Sequence, residues 1–268
     1  MENKKITIEH FLKFKKGDQK LTMVTAYDAT FAKLIDQTEV DAVLVGDSLG
    51  MVIQGKESTL GVSVDDVVYH SQCVRQGLKR AFLVADMPFM SYQVSASLAV
   101  ENAGRFISEG GAQAVKLEGG EEIAETSKKI VQFGIPVMGH LGLTPQSIHQ
   151  FGGFKVQGRS SEARKKLIFD AKALEGAGCF ALVLESIPLD LAQAVTEAVR
   201  IPTIGIGAGP HCDGQVLVIY DLLNMDPQFN PKFLKKYANG FSIVKESVGA
   251  FVRDVKEGKF PTEEHSFH

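Results

Sequence analysis

The sequence predicts a closed (β/α)8 TIM barrel, on three observations. Eight short apolar runs rich in β-branched residues recur along the chain, helical patterns separate most of them, and the first six end in polar side chains. Strands buried on both faces of a parallel sheet read as near-continuous hydrophobic runs. A count of eight favours closure over an open doubly wound sheet. No Pro/Ser-rich linker or charge block divides the 268 residues. One catalytic domain over residues 1–268 is therefore expected, since such barrels run to about 250 residues.

In chain order, residues 7–14 have the pattern of a short amphipathic helix, suited to plugging the amino-terminal end of the barrel. The strand runs follow at 22–28 (TMVTAYD), 42–48 (AVLVGDS), 82–88 (FLVADMP) and 114–120 (AVKLEGG), then at 136–142 (PVMGHLG), 180–186 (FALVLES), 201–207 (IPTIGIG) and 215–221 (QVLVIYD). A helix over 95–109 gathers Leu98, Asn102, Ala103, Phe106 and Ile107 on one face, with Ser95 as N-cap and Gly110-Gly111 as its end. A second spans 160–175 with Leu167, Ala171 and Leu174 in one stripe, and a third follows Pro188 with Leu191, Val195, Ala198 and Val199. The segment between the seventh and eighth runs is too short for a full helix. Residues 143–160, with His149 and Gly152-Gly153, form an irregular insertion that is either a mobile lid or a long surface loop. Residues 232–257 read as a closing helix, in one piece or two.

Composition excludes several function classes. Lys and Arg total 29 against 32 Asp and Glu, with the basic residues scattered, so nothing favours nucleic acid. No run reaches the length of a signal peptide's apolar core or a membrane span, which makes the cytoplasm the expected location. Cys73, Cys179 and Cys212 are odd in number and widely spaced, as expected of reduced core or loop residues.

The polar strand ends carry the chemistry: Asp28, Asp47-Ser48, Asp86, Glu118, His140 and Glu185-Ser186. Alternation puts Val43, Val45 and Asp47 on one face, and likewise Val84 with Asp86, Lys116 with Glu118, and Val183 with Glu185. With those faces inward, the carboxylates converge at the carboxyl-terminal mouth, where barrels of this type place active sites. Any one such Asp, taken alone, begins a turn or caps a helix; several together are harder to explain that way. Three carboxylates in a low-dielectric mouth need a cation or shared protons. An all-oxygen set points to a hard ion such as Mg2+, and Asp47, Asp86 and Glu118 are its expected ligands, direct or through water. Such an ion can chelate a 2-oxo acid and act as Lewis acid for the enolate formed on deprotonation of the neighbouring carbon.

Other residues keep two readings. Lys116 either neutralises substrate charge or forms an internal salt bridge with one of the carboxylates, and a Schiff-base role is a weaker third. Glu185, far in sequence from the metal group, is the natural base on another side of the mouth, or else a capping carboxylate beside Pro188. His140 is a hydrogen-bonding structural residue or a ligand. Gly205-Ile-Gly-Ala-Gly209 lacks dinucleotide spacing and reads as a tight turn. Met87-Pro88-Phe89-Met90, Phe151 and Phe154 either stack on a flat cofactor or anchor loops.

Set side by side, TAYDA, VGDSLGM, ADMPFMSY, VKLEGG, GHLGLTPQ, FGGFKVQG, LVLESIP and IGIGAGPHCDGQVLV closely resemble the ketopantoate (3-methyl-2-oxobutanoate) hydroxymethyltransferase family over nearly the whole chain. His211-Cys212 falls where that family is expected to vary. The resemblance implies one Mg2+ per subunit around Asp47, Asp86 and Glu118, substrate contacts from Asp47, Ser48, Asp86 and Lys116, and Glu185 as proton acceptor. It further implies 5,10-methylenetetrahydrofolate as one-carbon donor, 3-methyl-2-oxobutanoate as acceptor, 2-dehydropantoate as product in pantothenate and coenzyme A synthesis, and a cytoplasmic homodecamer. Residue spacing by itself reaches only metal-assisted enolate formation. On that footing the rivals are a Mg-dependent C–C lyase of the isocitrate-lyase or phosphoenolpyruvate-mutase kind, a Schiff-base aldolase through Lys116, and a non-catalytic ligand-binding barrel.

Overall fold

In the computed structural model, which describes residues 5–17 and 19–268 without the side chain of Lys16, eight parallel strands close into a barrel in sequential order. The elements are α1 (Ile8–Lys16), β1 (Leu21–Thr25), α2 (Ala29–Ile35), β2 (Ala42–Val45), α3 (Leu49–Val52), α4 (Val64–Gly77), β3 (Phe82–Asp86), α5 (Ala96–Ser108), β4 (Ala114–Glu118) and α6 (Ala124–Gln132). They continue with β5 (Val137–Gly142), α7 (Ile148–Phe151), α8 (Ser161–Gly176), β6 (Ala181–Glu185), α9 (Leu189–Ala198), β7 (Thr203–Ile206), β8 (Gly214–Leu217), α10 (Ile219–Leu222) and α11 (Gly240–Lys256). The chain divides into a barrel unit, Met1–Val218, and a carboxyl-terminal unit, Ile219–His268.

All eight expected strands are present, each shorter than its apolar run; Asp86, Glu118, His140 and Glu185 lie within their strands, whereas Asp28 and Asp47 lie beyond theirs. The eighth departs most. It ends at Leu217, and Ile219–Leu222 is helical. Ser95 caps α5 by accepting from the Leu98 amide, as its sequence indicates. The segment between β7 and β8 carries no helix. There Gly207 and Gly209 both adopt positive φ, and a Cβ on Gly209 would lie 2.7 Å from the Leu189 Cβ, so this glycine-rich stretch is a tight turn against the start of α9.

The barrel interior holds Leu21, Met23, Ala42, Leu44, Phe82, Val84, Ala114, Met138, Val183, Ile204 and Val216. Its amino-terminal end is plugged by α1, as the amphipathic pattern suggests. Phe11 is fully buried in edge-to-face contact with Phe82 at 5.2 Å and Phe180 at 5.1 Å. Phe11→Ala leaves a cavity on the barrel axis and is expected to cost about 3–5 kcal/mol, measured by chemical denaturation; a change within experimental error would show that α1 does not seal this end.

The interior face corrects one step of the sequence argument. On β2 it is Ala42 and Leu44 that belong to the interior cluster, not Val43 and Val45, so strict alternation would turn Asp47 outward. Asp47 nevertheless reaches the mouth, because the strand ends at Val45 and the chain turns at Asp47–Ser48, where the Leu49 amide donates to the Gly46 carbonyl. For Asp86, Lys116, Glu118 and Glu185 the alternation holds: they follow Val84, Ala114 and Val183 on the inward face.

In the carboxyl-terminal unit the helix begins at Gly240, not near residue 232, and residues 232–239 contain turns and irregular chain. None of the α11 residues is buried, and Phe241, Val244, Val248, Phe251 and Val255 recur along it at helical spacing. The three cysteines are free thiols; burial pushes the Cys179 thiol up to about 12, which makes it unreactive at neutral pH. Among the described residues no helix is long and apolar enough to cross a membrane.

Candidate active site

Six strand ends meet at the carboxyl-terminal mouth, and their local structure sorts them. Asp28 accepts a hydrogen bond from the Phe31 amide at 2.9 Å and caps α2, the plain structural role for a strand-end Asp. Ser48, in the turn after β2, has its hydroxyl 2.8 Å from the Tyr27 hydroxyl. Asp47, Asp86 and Glu118 are buried together, and one oxygen from each lies within 4.8 Å of the others.

Lys116, on the same face of β4 as Glu118, places its ammonium 2.9 Å from Asp86 Oδ1, 3.6 Å from Glu118 Oε1 and 3.1 Å from His140 Nδ1. The internal salt bridge weighed for Lys116 is thus present. His140 stands opposite Glu118 in the β4–β5 register. Its Nδ1 is 3.2 Å from Glu118 Oε1, and its Nε2 is 3.2 Å from Glu185 Oε2. The imidazole therefore joins the carboxylate cluster to Glu185, which is the more exposed partner, with 17% of its side chain accessible. Glu185 is held closely from behind: Gly142, opposite it in the β5–β6 register, has φ +97, and a Cβ there would collide with the Glu185 carbonyl oxygen.

Burial and charge act against each other throughout this group. Burial, then repulsion from Asp86 and Glu118, pushes the Asp47 carboxyl well above the usual range, and burial also raises Asp86. Burial acts upward on Glu118 too, but Lys116 and His140 outweigh it and hold that carboxyl low. For Lys116 burial acts downward and the three carboxylates win, so the ammonium keeps its proton. Burial and Lys116 depress His140, but Glu118 and Glu185 prevail and push it up to about 9.

These residues fit a divalent cation. With all three carboxylates ionised, their charge exceeds that of the one ammonium and the imidazole, and a divalent cation held there would favour that state. Asp86 Oδ1 and Glu118 Oε1 are buried and, beyond their contacts with Lys116 and His140, make no hydrogen bond of good geometry. Oxygen donors alone, with no thiolate among them, suit a hard ion.

Replacing Lys116 by Met keeps the volume but strips the cluster of its fixed positive charge. The variant is expected to lose about 3–5 kcal/mol, the cost of leaving buried charges uncompensated, and to regain part of it when Mg2+ is added. Denaturation curves with and without Mg2+ check this, and a variant as stable as the parent would show that the pairing contributes nothing.

Two residues of the site were missed in the sequence. Gln146 lies in the 3-10 turn Pro145–Ser147, inside the insertion expected to be a lid or a surface loop. It is buried and bonded to Asp47 and Glu118. Tyr92 donates to the Glu118 carbonyl and accepts from its amide. Residue types gave no signal for either, since both sit outside the strands. The outer part of the insertion is different: Gly152 and Gly153 adopt positive φ, and Phe154 is exposed. Phe89 and Met90 are also exposed, whereas Met87 is buried.

With this geometry in view, comparison with known proteins is decisive. A profile of the ketopantoate hydroxymethyltransferase family matches residues 5–263. The chain belongs to this family. It is 56% identical over 269 residues to the 3-methyl-2-oxobutanoate hydroxymethyltransferase of Anaeromyxobacter dehalogenans strain 2CP-1, covering 99% of this chain and 88% of that protein. It is 55% identical to the enzyme of the same name from Thermoanaerobacter sp. strain X514, covering 100% of this chain and 97% of that one. At this identity over the full chain, the protein is an enzyme of the ketopantoate hydroxymethyltransferase family.

Solved structures add the fold. Phosphoenolpyruvate phosphomutase from Streptomyces platensis subsp. rosaceus aligns with a TM-score of 0.62 at 13% identity, covering 97% of this chain and 92% of that one. Phosphonopyruvate hydrolase, solved with oxalate and Mg2+, aligns with a TM-score of 0.60 at 13% identity, over 97% and 93% of the two chains. At such identity the likeness shows the (β/α)8 architecture alone.

Proposed function

We propose that this ketopantoate hydroxymethyltransferase family member transfers a one-carbon unit from 5,10-methylenetetrahydrofolate to 3-methyl-2-oxobutanoate, giving 2-dehydropantoate for pantothenate and coenzyme A synthesis. The observation that carries the mechanistic reading is the convergence of Asp47, Asp86 and Glu118 in a buried mouth, with Glu185 joined to them through His140. Asp47, Asp86 and Glu118 hold Mg2+, one per subunit. When bound, the cation supplies a Lewis acid that draws charge from the oxo-acid carbonyl as the neighbouring C–H bond breaks.

The protein's own groups do the rest. Glu185 Oε2 takes the proton from C3 of the oxo acid. His140 Nε2, 3.2 Å from that oxygen, fixes the carboxylate beside the substrate. Lys116, Asp47, Ser48 and Asp86 border the oxo acid, with the ammonium offsetting its carboxylate charge. C3 then bonds the folate's methylene carbon as one of its two C–N bonds breaks, and water supplies the hydroxyl as the second breaks, with the proton from Glu185 and one from the water going to the two folate nitrogens as tetrahydrofolate leaves. Assembly as a cytoplasmic homodecamer, with residues 1–268 as one catalytic chain, belongs to the same proposal.

Proton NMR of 3-methyl-2-oxobutanoate in D2O, with the protein and Mg2+ but no folate, tests the first step. Loss of the C3 proton signal is expected. A signal unchanged over hours would overturn enolate formation by this site. The C–C lyase alternative has less support, since its structural relatives share only 11–15% identity with this chain while the hydroxymethyltransferases share more than half of its residues.

A further inference from the structure

Both polar atoms of the Gln146 side chain face hydrogen-bonding partners in or beside the candidate metal cluster. A primary amide offers two N–H donors and two oxygen lone pairs. Here Nε2 donates to Asp47 Oδ2 at 2.9 Å and to the Met87 carbonyl at 2.9 Å. Oε1 accepts from Gln93 Nε2 at 3.3 Å and lies 2.8 Å from the Tyr92 hydroxyl, whose one proton it shares with the Glu118 carbonyl. The main-chain N–H of the same residue donates to Glu118 Oε2 at 3.0 Å.

This pattern fixes the amide's orientation, because a flipped amide would set its oxygen against the Asp47 carboxylate and the Met87 carbonyl. It also divides the carboxylate oxygens into two sets. Asp47 Oδ2 and Glu118 Oε2 are held by Gln146, and Asp86 Oδ2 by the Asp47 amide at 3.2 Å. Glu118 Oε1 and Asp86 Oδ1 make no hydrogen bond of good geometry and face only the charged groups Lys116 and, for Glu118, His140. A neutral donor suits this place: it orients two anions without adding positive charge that would compete with a cation, and its oxygen is already committed to Tyr92 and Gln93.

We infer that Gln146 is a positioning residue: it holds one oxygen of Asp47 and one of Glu118 so that their other oxygens take the divalent cation, and thereby sets cation affinity. The inference rests on the proposed metal role of the cluster but needs neither oxo acid nor folate. Residues that orient metal ligands through hydrogen bonds typically contribute 10–100-fold to metal affinity or activity.

The test is titration of the full-length protein with Mn2+ alone, followed by electron paramagnetic resonance of the free ion, for the parent, Gln146→Met and Tyr92→Phe. Gln146→Met keeps the volume and the main-chain donor but removes the amide, and should weaken Mn2+ binding by about 10–100-fold. Tyr92→Phe removes one of the two groups that face Oε1, together with the bonds to the Glu118 main chain, but leaves the amide itself, so it should weaken binding in the same direction by less; it also serves if Gln146→Met does not fold. At saturating Mn2+, C3 proton exchange in Gln146→Met should return toward the parent rate, which a general packing defect would not produce. Parent-like Mn2+ affinity in a folded Gln146→Met, or in Tyr92→Phe if that is the only folded variant, overturns the inference and leaves the proposed function standing. Weakened Mn2+ binding in a protein whose parent catalyses no C3 exchange supports the inference while removing the proposed reaction. A parent that binds no Mn2+ overturns both.

Discussion

Glu185→Gln is expected to lower C3 proton exchange and product formation together by about 10²-fold or more, with divalent-cation and oxo-acid binding retained. The substitution keeps the side chain's size and leaves an amide oxygen able to face His140 Nε2, 3.2 Å from Oε2 in the parent. It removes only the proton acceptor. A carboxylate is a weak base against a carbon acid, so its effect depends on the enolate being stabilised elsewhere in the mouth, and loss of either partner should stop exchange. Deuterium incorporation followed by NMR, alongside product assay, separates the possibilities. Exchange at the parent rate with product formation alone impaired would assign Glu185 to the later one-carbon transfer and move the base elsewhere.

The second large effect concerns the cation. EDTA should abolish turnover and Mg2+ restore it, and Asp86→Ala or Glu118→Ala should raise the Mg2+ concentration needed for half-maximal activity by at least the 10–100-fold that loss of an orienting partner costs. Asp86→Ala has a further consequence, because it removes the nearest anion from Lys116, 2.9 Å away. The ammonium then has Glu118 as its remaining close carboxylate, and the local field becomes less attractive to a cation. Rates measured against Mg2+ concentration in each variant check the assignment, and an unchanged requirement in both would sink it.

The barrel was legible in the amino-acid sequence because its signal is local. Apolar runs at 42–48, 82–88, 114–120 and 180–186 alternate with helical patterns, and in the last three period-2 alternation carries the inward face up to Asp86, Lys116, Glu118 and Glu185. The nature of the candidate metal group was legible too, since residue type at a strand end needs no knowledge of distant partners. Asp28 shows where this fails: the same signal, a carboxylate ending a strand, marks a helix cap there and a cluster member at Asp86. Only the packing around each residue separates the two.

Asp47 reached the expected group by an unexpected route. Its parity on β2 points away from the interior, and the turn that follows Gly46 brings it back. The joining of Glu118 to Glu185 through His140, the ion pairing of Lys116, and the hold of Gln146 on two carboxylates are also not written in any one segment. They bring residues as far apart as Glu118 and His140, 22 positions, and Asp47 and Gln146, 99 positions, within hydrogen-bonding or ion-pair distance. Residue order thus determined the eight-stranded barrel, its polar rim and the kinds of side chain offered there, because backbone alternation and helix periodicity act over a few residues. Which rim residues share a buried environment, and which loop folds in to orient them, was settled by closure of the barrel, since desolvation and charge pairing act through space between strands that the sequence keeps far apart.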